Sequence, residues 1–288
     1  MVTIDAHLHV FEAASDRFPR DVFEPLTPKQ RSAPAEALLA TMEQTGVDKA
    51  VVVAVSHHDE YLAHVLATYP GRFAGVGVIS PDSSDPVADL HRRVETIGMQ
   101  GLRVFSLGNP ASDPESQPMF SLLAAMAELG VKLWFYAEEA QVELLDRCLD
   151  ALPHLAVVMN HLGFCPSIWD EMKVDEHGRP RFDVVLPPSS LDTVKRLARH
   201  RNVYVHFSGQ YAFSKTAYPY ADLRPVVEEV YRTFGARRMM WASDYPWIET
   251  EPGYARTLAL VDHHFPEITA DERAAIRGGN AESLFRFG

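Results

Sequence analysis

The sequence predicts an α/β fold: a (β/α)8 TIM barrel with long loops after strands one and six. Eight short apolar runs recur along the chain, each ends in polar residues, and helical patterns lie between them. Alternation of this kind argues a parallel sheet with helical crossovers, and eight units favour a barrel over an open doubly wound sheet. An open sheet usually carries a Gly-rich phosphate turn after its first strand; here that position reads HVFEAASDRF, without glycine. A chain of 288 residues suits one barrel domain spanning 1–288.

Taken in order, the strand candidates are TIDAHLHV (3–10), KAVVVAV (49–55), FAGVGVI (73–79), GLRVF (101–105), KLWFYA (132–137), AVVMNHL (156–162), VYVHFSG (203–209) and RMMWASD (238–244). Helical patterns cover 34–46, 59–68, 86–97, 116–129, 139–151, 190–200, 221–234, 254–264 and 270–285. Two segments exceed simple connections: 11–33 after strand one and 163–189 after strand six. The second contains EHGR, a turn signal for a small hairpin. Both leave the C-terminal ends of strands, where barrel sites are built, and are read as lids.

Composition narrows the function. A net charge of −12 disfavours nucleic acid and anionic membrane as partners. No apolar run approaches the roughly 20 residues of a membrane span. Two cysteines do not make a disulfide framework, and the chain begins directly with a strand, leaving no room for a signal peptide. The expectation is a cytoplasmic protein acting on a small molecule, with self-association into a homo-oligomer left open.

Strand ends supply the candidate chemistry. In IDAHLHVF (4–11), period-two spacing puts Ile4, Ala6 and Leu8 on one face and Asp5, His7 and His9 on the other. Strand six adds His161 and strand eight adds Asp244. Three neutral imidazoles and a carboxylate suit zinc or another borderline divalent cation. Taken singly, each has a plainer role: a histidine satisfied within the core, or an aspartate capping a turn. One shared site is simpler than several unrelated roles at matching positions.

Arg103, between Leu102 and Val104, is either a salt-bridged core residue or a guanidinium fork for a substrate carboxylate. Tyr136 alternates with Trp134 on strand five, and His206 with Tyr204 and Ser208 on strand seven. His206 is either a partner of the site or a filler of the barrel core. His57 and His58 follow strand two, at the pocket rim or on a solvated loop. Serine hydrolase chemistry lacks a G-x-S-x-G elbow, and Cys165 lacks a basic neighbour to activate it.

The motifs DAHLHVF, NHLG, VYVHFSG, WASDYPW and the terminal GGNAESLFRF, in this order, resemble the amidohydrolase superfamily. The resemblance is to its amidohydrolase-related branch of sugar-acid lactonases, 2-pyrone-4,6-dicarboxylate lactonase and metal-dependent decarboxylases. RFAGVGVISP and GMQGLRVF are similar to the lactonase group in particular. The resemblance implies a distorted barrel, a metal site at His7, His9, His161 and Asp244, a water-activating role for Asp244, and substrate binding by Arg103. His206 stands where many lactonase relatives carry lysine, and Lys132 begins its strand, so a carboxylated-lysine bridge is not expected. The expectation is one divalent ion, zinc by ligand type, although some lactonase members need none.

The functional expectation is a metal-assisted hydrolase that opens a cyclic ester of a sugar acid or dicarboxylate. Asp244 activates water, His161 and His206 assist, Arg103 and Tyr136 bind substrate, and Trp169 and Phe164 approach it from the long loop. The alternative on the same site is non-oxidative decarboxylation of an aromatic or unsaturated acid. A catalytically silent ligand-binding barrel is the reading from another class. Ionisable groups clustered at strand ends argue against it, because they are costly to bury without purpose.

Overall fold

The computed structural model describes residues 2–288. Strands β1 (Ile4–Leu8), β2 (Lys49–Val53), β3 (Phe73–Val78), β4 (Gly101–Val104), β5 (Lys132–Phe135) and β6 (Val157–Met159) pair in parallel, each with the next. A separate antiparallel hairpin follows, β7 (Lys173–Val174) and β8 (Pro180–Arg181), where EHGR signalled a turn. The parallel sheet resumes at β9 (Val203–Phe207) and ends at β10 (Met239–Trp241). All eight expected barrel strands are present, shorter than their apolar runs.

Individual bonds close the seam between β1 and β10. The amide of Asp244 donates to the His7 carbonyl at 3.0 Å, and that of His9 donates to the Tyr245 carbonyl at 2.7 Å. The result is a nearly closed (β/α)8 barrel, distorted at this seam.

Apolar side chains form two layers. Ile4, Ala6, Val51, Val76, Trp134 and Met240 fill the barrel, and Phe285 plugs its lower end. Leu8, Val52, Leu133 and Val205 face outward under the helices. The helix Ala35–Thr45 shows how the coat is built: Ala35, Leu38 and Met42 recur at helical spacing on the buried side, and left-handed Gly46 ends it. The last helical pattern is interrupted by a π turn at Ala275–Gly279, which brings Gly278 so near the Val2 carbonyl that a Cβ would overlap it.

One expectation about β1 is corrected. Strict alternation put Asp5 on the same face as His7 and His9, but the pairing of β1 with β2 slips between Asp5 and Leu8. Ile4 and Ala6 therefore point into the barrel, and after the slip Leu8 and Val10 point out. Asp5 points out as well, accepting from the Ser243 amide at 2.9 Å and the Tyr254 hydroxyl at 2.7 Å. It ties the seam instead of joining the imidazoles. An irregularity of this kind shifts side-chain parity without any mark in the polar–apolar pattern.

Candidate active site

The upper end of the barrel opens into a cavity of about 530 Å³. His9, Arg103, Tyr136, His161 and Asp244 reach it from the strand ends. Residues of both long segments wall it: Phe23 and Leu26 from the first, Ile168, Trp169, Met172 and Phe182 from the second. The Arg31 guanidinium ties the segments together, donating to the carbonyls of Leu26 and Gly178.

Asp244 is the hub. Its Oδ1 lies 3.4 Å from His7 Nε2 and 3.7 Å from His9 Nε2, and its Oδ2 lies 3.9 Å from His161 Nε2. The Tyr211 hydroxyl donates to Oδ2 at 2.6 Å. Capping a turn is thus not what this side chain does. Asp244 and His161 both have positive φ, at 62° and 49°, a conformation that costs a non-glycine residue energy and recurs at functional sites. Gly209 makes room for the His161 ring, since a Cβ there would stand 2.8 Å from its Nδ1. The same Nδ1 bonds Ser208 Oγ at 2.9 Å.

Burial sets the charges. It would raise the Asp244 carboxyl, but coupling to His161 and the facing N–H of His7 favours the carboxylate and keeps the group below the usual range. Burial lowers all three histidines, His9 to about 4, so they are neutral near pH 7. Burial also raises the Tyr136 hydroxyl, which stays protonated and makes no hydrogen bond within the protein. Arg103 is not a salt-bridged core residue: its Nε is buried without a partner, and its guanidinium carbon lies 5.0 Å from the Phe105 ring centre.

Whether these residues suit a cation is decided by their free lone pairs. Nδ1 of His9 bonds the Val53 carbonyl at 2.8 Å and must donate there, which leaves its Nε2 lone pair free. His161 can offer Nε2 in the same way by donating to Ser208. His7 differs. The Trp134 indole N–H, a donor only, bonds Nδ1 of His7 at 2.7 Å, so the proton of the neutral ring sits on Nε2. The His7 Nε2 atom has no hydrogen-bond partner and faces Asp244 as an N–H group. By distance, the compact group of potential ligands is His7, His161 and Asp244, mutually within 4.8 Å. His7 lacks the lone pair on that side, whereas His9, whose Nε2 lies 3.7 Å from Asp244 Oδ1, has it. In this arrangement the free lone pairs belong to His9, His161 and Asp244, while His7 presents its N–H to the carboxylate.

Other expectations resolve individually. His206 does not line the cavity: it is fully buried against Trp134 and His7, at ring-centre distances of 4.8 and 5.3 Å. It packs inside the barrel, outside the cavity lining. Phe164 is stacked on Phe213 at 4.3 Å in the core, also outside the cavity lining. Trp169 lies at the mouth, 66% exposed, against Phe23 and Phe105. Tyr211 was missed because it sits on a four-residue helix, Gln210–Phe213, too short to leave a pattern. The pairing of Trp134 with His7 joins strands far apart in sequence, and no spacing rule signals it.

Comparison with known proteins agrees with this geometry. The amidohydrolase family profile matches residues 4–287. The L-fucono-1,5-lactonase of Burkholderia ambifaria is 26% identical, over 98% of this chain and 95% of that protein. The 4-sulfomuconolactone hydrolase of Rhizobium radiobacter is 25% identical, over 84% of this chain and 75% of that protein. A solved structure from Pseudomonas putida, described as a 2-pyrone-4,6-dicarboxylic acid hydrolase, superposes with a TM-score of 0.74 at 24% identity, covering 99% of this chain and 98% of its own. With the profile spanning almost the whole chain and strand-end residues gathered at one cavity, the chain belongs to the amidohydrolase family.

Proposed function

We propose that the protein is a lactone-opening hydrolase in which Asp244 is the base. The observation that carries the reading is an ionised, buried Asp244 on the same cavity as two unpartnered donors, Arg103 and Tyr136. The names of the two curated relatives point the same way. Asp244 takes a proton from a water molecule as its oxygen bonds to the lactone carbonyl carbon. Tyr136 donates to the oxygen on which negative charge develops, and Arg103 holds a substrate carboxylate. As the ring C–O bond breaks, the proton on Asp244 passes to the leaving alkoxide.

A divalent cation, zinc by donor type, would rest on His161, His9 and Asp244, and would acidify bound water. Each step above is carried by the chain's own residues, with the His7 N–H facing the Asp244 carboxylate. His7 serves instead to hold Asp244 in its ionised form. Cys148 and Cys165 are unpaired, in keeping with a reducing cytoplasm. No helix among the described residues is long and apolar enough to cross a membrane.

The test is a screen of lactones by proton release, with aromatic and unsaturated acids followed by carbon dioxide release. Hydrolysis abolished by Asp244→Asn is the expected result. Carbon dioxide release without lactone opening would overturn the reading in favour of a decarboxylase.

A further inference from the structure

The lining of the cavity restricts what can occupy it. Arg103 is the one arginine or lysine among the lining residues. The buried and half-buried guanidiniums on the two long segments are committed elsewhere. Arg20 donates to the backbone carbonyls of Thr27, Pro28 and Arg31. Arg31 lies over the Trp247 ring at 4.8 Å while holding Leu26 and Gly178. Arg179 pairs with Asp175 and Glu251, and Arg181 donates to the Ser214 carbonyl. A second substrate anion would find no fixed cation, and the Asp21 carboxylate at the mouth would repel it.

Above the floor the walls are apolar: Phe23, Leu26, Ile168, Met172, Phe182 and Trp247. At the flank formed by Asp21, Thr27, Ser56 and His57, most of the polar lining is already used. The Asp21 carboxylate meets His57 Nδ1 at 3.1 Å, and Thr27 Oγ1 takes the Phe23 amide at 3.2 Å. Ser56 Oγ is the unpartnered atom on that flank. A ring carrying several hydroxyls would leave most of them without partners against hydrocarbon, and such groups are costly to desolvate. An apolar ring gains from the same walls.

We infer that the substrate is a lactone bearing a single carboxylate on an apolar, ring-sized body, and neither a sugar lactone nor a dicarboxylate. The inference rests on the lactone-opening reading and departs from the sugar-acid or dicarboxylate substrate expected from the sequence. One carboxylate on Arg103 anchors the molecule at the floor, and the apolar body occupies the space between the two long segments. Arg103 and Tyr136 share the floor with Asp244, so an anchored ring presents its carbonyl to the base.

The experiment uses the intact protein and four lactones of similar ring size: an apolar monocarboxylate, its neutral methyl ester, a sugar lactone and a pyrone dicarboxylate. The expected kcat/KM for the monocarboxylate exceeds that for each of the others by tenfold or more. A sugar lactone or dicarboxylate as the best substrate overturns the inference and leaves the lactone-opening reading intact. If none is opened, that reading fails, and calorimetry with the matching ring-opened acids still tests the cavity. Tighter binding of the apolar monocarboxylate than of the sugar acid and the dicarboxylate supports the inference; equal, reversed or absent binding overturns it.

Discussion

The indole N–H of Trp134 donates a 2.7 Å hydrogen bond to Nδ1 of His7, deep in the barrel. Because the indole cannot accept, this contact selects one tautomer of a neutral imidazole and turns its N–H toward Asp244. A residue that the sequence marks as a metal ligand becomes a proton-bearing neighbour of the Asp244 carboxylate.

Trp134→Phe removes that donor and frees His7 to carry its proton on Nδ1. Affinity for zinc is expected to rise by tenfold or more in a calorimetric titration, since a third imidazole lone pair becomes available. Nitrogen-15 spectra of the unsubstituted protein should show the His7 proton on Nε2. Unchanged zinc affinity, or a proton on Nδ1 of His7 before substitution, would contradict the tautomer assignment.

Arg103→Met removes the cavity's one fixed cation. KM for a carboxylate-bearing lactone is expected to rise tenfold or more, while that for a neutral ester of the same ring changes little. Equal losses on both substrates would mark Arg103 as structural.

Stability should fall as the solution is acidified. Burial lowers His9 from an ordinary 6.5 to about 4, so between these values the unfolded chain binds a proton that the native chain refuses. The stability present above pH 6.5 is therefore lost as pH falls toward 4, at up to about 1.4 kcal/mol per pH unit for such a group. His7, His161 and His206 shift in the same direction. Asp5, raised to about 6 by burial, works the other way, because its contribution is lost as pH rises through 6. Four histidines outweigh one carboxyl, and denaturant midpoints from pH 7 to 5 should decline. His9→Gln should make the decline shallower, and an identical slope would show that His9 is not buried neutral.

Much of the architecture was legible because barrel strands are short apolar runs at regular intervals, and all eight lie inside the runs expected of them. The hairpin in the second long segment was equally legible, since Gly178 supplies the positive φ its turn needs. The direction of individual side chains was less so. The slip in β1 reverses the parity of Asp5, and depth along β9 separates Ser208, which reaches His161, from His206, which stays below. Tyr211 and Trp134 act through contacts between strands, and those depend on how the barrel closes. The apolar character of the cavity came from residues whose sequence reads only as loop, because the direction a loop turns its aromatics is a tertiary property.

Asp244 is proposed to move the proton. Asn keeps the shape, a side-chain oxygen, and the tolerance for positive φ that Asp244 uses at 62°. It cannot take a proton near neutral pH. Melting temperature and kcat of Asp244→Asn should be measured together on the best lactone. Melting should stay close to that of the unsubstituted protein, and kcat should fall by roughly a hundredfold or more. Near-normal turnover with normal melting would contradict it and remove Asp244 from the reaction.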